Sequence, residues 1–313
     1  MTSPLLSRPG AVPAPLPDEG VAWHYGDPLG EQRLLASANA TVDLSHRDVV
    51  TLTGPDRGKL LDGLASQKLD DLAVGDVREA LVLDPNGRIE HHFVVHELDG
   101  LTLLHTEPQR GGVLASFFSS MRFMLDVDVS EASADWAVVG DPSYRVIPRQ
   151  ELVDISGSLA GVWAWEALRV AAGRPRVGLD TDDKTIPHEV GWIGSAVHLS
   201  KGCYRGQETV ARVHNLGQPP RRLVLLHLDG SADRLPDKGN GVEYDATVVG
   251  FVGTVAQHYE LGPIALALIK RTVPTDVDLV VDGVAASQEV IVAPEAGNRA
   301  AREAREAFRA AQR

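Results

Sequence analysis

Lys201-Gly202-Cys203-Tyr204-Arg205-Gly206-Gln207-Glu208-Thr209-Val210-Ala211-Arg212 concentrates two glycines, the single thiol of the chain, an aromatic ring, an amide, a carboxylate and three cations. Gly202 and Gly206 permit close backbone approach or positive φ, and the residues from Glu208 onward have helix-forming character. Cys203 is therefore expected on a turn near a helix N-terminus. There the helix dipole, Lys201 and Arg205 would favour thiolate, the reactive form of the side chain. Two uses of such a turn stay open on physics alone: a reactive, partly exposed thiol, or a tight buried connection.

Downstream of this segment the composition changes at Gly217-Gln218-Pro219-Pro220. Strand-like runs follow at 223–228, 247–255, 264–269, 277–281 and 284–292, with turns at Asp229-Gly230 and Asp282-Gly283. Short strands at that spacing predict a small β-barrel or sandwich. Upstream, residues 48–52 read as a strand, Gly54-Pro55 breaks it, and Leu60, Leu61 and Leu64 resume at helical spacing. Residues 80–83 and 89–95 form two strands joined by Asp84-Pro85-Asn86-Gly87, whose Asn-Gly pair suits a tight hairpin. Val113, Leu114, Phe117, Phe118, Met121 and Leu125 build one apolar face and predict a helix over 113–125, before a strand at 136–139. Hairpins mixed with covering helices give an α+β class. The expected organisation is a flexible Pro-rich leader over 1–24, an α+β region of two subdomains over 25–217, a barrel over 218–293 and an Arg/Ala-rich helical tail over 294–313.

Composition narrows the function classes. The 313-residue chain has a net charge of −13 and no basic run, which argues against a nucleic-acid binder, since that requires cations to displace counterions from phosphate. One cysteine can form neither an internal disulfide nor a closed structural zinc shell, so a cytoplasmic protein without bound metal is expected. No apolar run approaches the roughly 20 residues that span a bilayer, and no membrane partner is expected. Gly54 to Leu60 superficially resembles a phosphate loop, but its glycines are too close and no Ser or Thr follows Lys59. His91, His92 and His96 cannot share one ion on a strand. Alternation separates His91 from the other two, which lie about 13 Å apart.

The motif Lys201 to Glu208 resembles the K-G-C-[FY]-x-G-Q-E hallmark of YgfZ-type folate-binding proteins, relatives of the T-protein (aminomethyltransferase) of the glycine cleavage system. The resemblance extends through Leu168-Arg169-Val170, Gly173, Pro175-Arg176, Gly178-Leu179-Asp180 and Lys184 to Glu189. It also takes in residues 49–69, the hairpin at Asn86-Gly87-Arg88, and barrel segments 250–255 and 266–271. It implies a T-protein-like fold with a central channel and a C-terminal β-barrel. It further implies tetrahydrofolate or a related folate as ligand, and iron-sulfur enzymes or their assembly machinery as partners. Cys203 would be the functional thiol, within a signature of Lys201, Gly202, Tyr204, Gly206, Gln207 and Glu208. Glu189, Arg212, Arg169, Trp192 and Arg205 are candidate ligand-binding residues, with Arg176 and Lys201 as further entrance cations and Trp163 and Trp165 as further stacking rings.

Two departures bear on activity. The T-protein's aspartate pair aligns here with His91 and His92, and an imidazole cannot replace a carboxylate that stabilises a cationic iminium-like centre. The pterin-binding Glu of the L-R-[LIV]-E-A-G stretch is Ala171, which offers no acceptor, leaving Glu166 or Glu189 as candidate substitutes. The implied function is a folate-binding accessory protein for the assembly or repair of iron-sulfur enzymes. The alternatives are a folate-dependent one-carbon transferase and a non-catalytic ligand-sensing protein.

Overall fold

Alternation along the strand Ile89–Leu98 sets the first layer of the computed structural model, which describes residues 1–141 and 143–294. Phe93 and Val95 turn into a core with Val50, Leu52, Leu61, Leu104, Leu114 and Phe118, while His92 and His96 turn to the other face. The strand belongs to a five-stranded antiparallel sheet in the order Val77–Leu83, Ile89–Leu98, Leu101–Thr106, Asp48–Thr53, Asp128–Glu131. Helices Arg57–Leu64 and Gly111–Met121 bury their apolar stripes on the Phe93 face. The second helix stops short of the expected residue 125. Phe123 takes a left-handed φ of 47°, which turns the chain out of the helix and leaves its ring 90% exposed. The predicted hairpin is present: Asp84 Oδ1 accepts from the backbone N–H of Asn86 and Arg88, each at 2.8 Å, and Gly87 supplies a φ of 78°.

A four-stranded sheet of Tyr144–Pro148, Trp136–Gly140, Thr41–Asp43 and Leu159–Ala160 forms a second layer. It shares a core with helix Val162–Ala171, through Val42, Val138, Val162 and Trp165. Six strands then close a barrel in the order Arg221–Leu228, Gly262–Lys270, Thr247–His258, Gly241–Tyr244, Leu279–Val281, Val284–Val290, the last pairing back onto the first. Its interior is filled by Val224, Leu226, Val242, Val252, Ala267, Ile269 and Val281. Gly241–Tyr244 escaped the sequence reading because Val242 is its only buried residue, so it carries no alternation to detect.

The N-terminal 24 residues are not a loose leader. Leu5 is buried, Val12–Pro13 pairs with Ala22–His24, and Asp18 forms an ion pair with Arg176 at 2.8 Å and a hydrogen bond with His46 at 2.9 Å. Proline fixes φ but does not prevent packing, and the guanidinium that holds Asp18 lies 158 residues further along the chain. The expected helical tail lies outside the described residues, apart from its first position. Among the described residues no helix is long and apolar enough to cross a membrane, and no group of three His, Cys, Asp or Glu is placed to hold a metal ion.

Candidate functional site

The glycine-cysteine segment folds as expected locally, a turn entering helix Gln207–Asn215. Gly206 is the position that requires glycine. Its φ is 82°, and a Cβ there would lie 2.6 Å from the carbonyl oxygen of Asp84 and 3.1 Å from Gly87 Cα. The segment thus docks by backbone on the 84–88 hairpin. Gly202 carries no such demand, since a Cβ there would meet open space. Tyr204 and Val210 anchor the turn in a core cluster with Leu81, Leu83, Val190 and Trp192, and burial pushes the Tyr204 hydroxyl up to about 12. Cys203 is exposed, while Glu208 and Arg212 also face solvent and Gln207 is half-buried.

The cations expected to serve the thiol are engaged elsewhere. Lys201 is 1% exposed along its side chain. Its Nζ donates to the carbonyl oxygens of Asp62, Ala65 at 2.8 Å and Gln67 at 3.0 Å, with the Asp62 carboxylate at 3.3 Å. Arg205 forms a bidentate pair with Glu90 at 2.9 and 3.3 Å. Glu189 is likewise unavailable to a ligand: it is fully buried and accepts from Arg221 Nε and Nη2, both at 2.9 Å, as well as from the backbone of Ile186.

A cavity of about 480 Å³ lies on the histidine face of the first sheet, and Cys203 is not among the residues that line it. Two ring pairs contribute to its walls. His92 stacks on Trp192 with centroids 4.8 Å apart and planes 9° from parallel, and Tyr144 tilts against Trp165 at 5.1 Å. Of the predicted ligand residues, Trp192 and Arg169 reach this cavity, and so do Arg176 and Trp165; Glu189, Arg205, Arg212 and Lys201 do not. Trp163 stacks instead on Trp23, in a separate cavity against the barrel. Burial lowers the pKa of His92, with Arg47 adding to the effect against the opposing pull of Glu79 and Glu107, so the ring in the wall is a neutral imidazole. His91 turns to the opposite face against Phe117, and burial followed by Arg110 lowers it to about 4.

Behind the rings runs a buried charge network. Arg176 donates to Asp18 at 2.8 Å and Glu107 at 2.6 Å and lies 3.0 Å from Glu166. Arg169 donates to Glu166 at 2.6 Å and Asp180 at 2.9 Å, and Arg47 donates to Glu107 at 3.2 Å. Burial pushes the Glu107 carboxyl up, but Arg47 and Arg176 overcome it and hold the group at about 2. Asp18 and Glu166 are held low in the same way, against burial: by His46 and Arg176 for the first, by Arg169 and Arg176 for the second. Glu166, a candidate substitute for the acceptor missing at Ala171, is therefore consumed by two guanidinium groups. Sequence reasoning missed Arg47, Tyr144, Glu79, Glu107 and Asp18. None sits in a motif, and only the fold brings them together.

No family model matches the chain. Its fold is that of the glycine cleavage system aminomethyltransferase T from Bartonella henselae, with a TM-score of 0.74 over 94% of this chain and 98% of that one, at 15% identity. It is 27% identical over 269 residues to the tRNA-modifying protein YgfZ of Yersinia enterocolitica, covering 69% of this chain and 80% of that protein. These relatives and the fold support a YgfZ-type, T-protein-like protein. It is also 23% identical over 266 residues to a chloroplastic protein of Arabidopsis thaliana, spanning 60% of that protein's length. In this chain the thiol turn and the aromatic cavity are separate features joined by one core cluster, since Tyr204 of the turn packs with Trp192 of the wall.

Proposed function

We propose that the chain is a folate-binding accessory protein for the assembly or repair of iron-sulfur enzymes, with the aromatic cavity as ligand site and Cys203 as functional thiol. The observation that carries this reading is the cavity itself. His92 against Trp192 and Tyr144 beside Trp165 give it walls that suit a flat heterocycle, whose stacking adds about 0.5–1.5 kcal/mol per ring pair beyond buried area. These residues fit a pterin ring, which, when bound, would supply one-carbon chemistry. The protein's own part is to orient the ring, exclude water and keep His92 neutral beside it.

What the cavity lacks is as informative. Glu107 is tied to Arg47 and Arg176, and imidazoles stand where the resemblance places the aspartate pair. Among the described residues the unpaired carboxylate of the lining, Glu79, lies on the neighbouring strand and not at the aspartate-pair positions, which argues against aminomethyl transfer by the T-protein route. Cys203 is exposed, and thiolate is both a nucleophile and a soft iron ligand, so the turn suits contact with a partner protein. The Yersinia relative's name points to tRNA modification. For this chain, with its net charge of −13, we read that as service to a modifying enzyme and not as direct grip on RNA.

Fluorescence titration with tetrahydrofolate should give saturable micromolar binding, and no saturation would overturn the folate reading. Methylene-tetrahydrofolate formed from a methylamine donor would instead favour a transferase. In cells lacking their native copy, Cys203→Ser should fail to restore iron-sulfur enzyme activity under oxidative stress, whereas full restoration removes the thiol from the proposal.

A further inference from the structure

Besides Tyr144, seven ionisable side chains line the aromatic cavity: Arg47, Glu79, His92, Glu107, Arg169, Arg174 and Arg176. Arg47, Glu107, Arg169 and Arg176 are ion-paired with one another or with the carboxylates behind them, although Arg47 Nε and Nη2 have no hydrogen-bond partner among the described residues, and His92 is uncharged. Two charges remain. Glu79 is half-buried on the edge strand Val77–Leu83, diagonal to His92 across the pair Leu81↔His92, and its carboxylate has no hydrogen bond or ion pair among the described residues. Arg174, exposed just after helix Val162–Ala171, has no carboxylate partner there either. The two belong to different layers of the fold, border one cavity and do not pair with each other. A carboxylate left half-buried beside an apolar ring wall gains most from N–H donors, and a guanidinium on the solvent side gains most from an anion.

We propose that Glu79 and Arg174 are the residues that read the folate-type ligand, one at its heterocycle and the other at its acidic tail. Glu79 accepts from the amino and ring N–H edge, in the role that Ala171 cannot fill, the ring lies against His92 and Trp192, and Arg174 holds a tail carboxylate. This rests on the folate-type reading and makes it specific. Charge-assisted contacts of this kind correspond to about tenfold to hundredfold in affinity.

The test uses the full chain, with wild type, Glu79→Gln and Arg174→Gln titrated against 5-formyltetrahydrofolate and against 6-methyltetrahydropterin, which has no tail. Glu79→Gln should weaken both probes at least tenfold. Arg174→Gln should weaken only the tailed probe. Because neither side chain makes a hydrogen bond or ion pair among the described residues, the melting temperatures of both variants should stay close to wild type, which separates lost binding from lost folding. If wild type binds and both variants bind within twofold of it, this assignment is overturned while the folate reading stands. If wild type binds neither probe, the folate reading falls and takes this assignment with it.

Discussion

The ammonium of Lys201 sits where helix Arg57–Leu64 runs out of backbone donors, and it supplies the missing ones to Asp62, Ala65 and Gln67. Burial lowers its pKa, opposed by the Asp62 carboxylate, so the charge is retained by the partners it serves. Lys201→Met keeps most of the stem and strands three carbonyl oxygens. At about 1.5–3 kcal/mol for a hydrogen bond from a charged group, the variant should lose roughly 3 kcal/mol, read as a lower urea midpoint. A variant with an unchanged midpoint but altered Cys203 reactivity would return Lys201 to the role first expected of it. Residue identity made Cys203 legible on a turn near a helix N-terminus. It could not show that the neighbouring cations were already committed, because Asp62 lies 139 residues before Lys201 and Glu90 lies 115 before Arg205.

Between elements, the contact that positions the thiol turn is backbone on backbone. A methyl group added at Gly206 would meet the Asp84 carbonyl, and the residue would also carry a left-handed φ that alanine disfavours. Gly206→Ala should cost on the order of 1–3 kcal/mol and lift the turn from the 84–88 hairpin. Amide hydrogen exchange checks this: protection should fall at Gln207–Asn215 and around Asp84, while the barrel strands stay unchanged. Elements with a strong local pattern were legible, such as the Asn-Gly hairpin, the Phe117/Phe118 helix and five of the barrel runs. Those set by a neighbour were not, including the end of the helix at Met121 and the strand Gly241–Tyr244, which exists because Gly241 and Val242 pair with Phe251 and Gly250.

Across the molecule, acid stability follows from groups buried without charge or with paired charge. Burial lowers His91, His96 and His188 from 6.5 to about 4, Arg110 adding to the effect on the first and His214 on the third. Below pH 6.5 the unfolded chain therefore binds protons that the folded one refuses, and stability is lost as pH falls through the folded values near 4. Each pH unit crossed costs on the order of 1 kcal/mol per imidazole. Glu107, lowered from 4.5 to about 2, continues the loss over that lower range. Urea midpoints should be level from pH 8 to 6.5 and fall steadily below, and a flat profile down to pH 4.5 would refute this account. The cavity was the least legible feature, because Arg47, His92, Tyr144, Arg176 and Trp192 come from separate segments and converge only in the folded chain. The N-terminal carboxylate of Asp18 is part of the same economy of charge. Trimming the first two dozen residues as dispensable would leave Arg176 short of one counter-ion beside the cavity, so an expression design that begins later in the chain would report on an altered pocket and not on the native one.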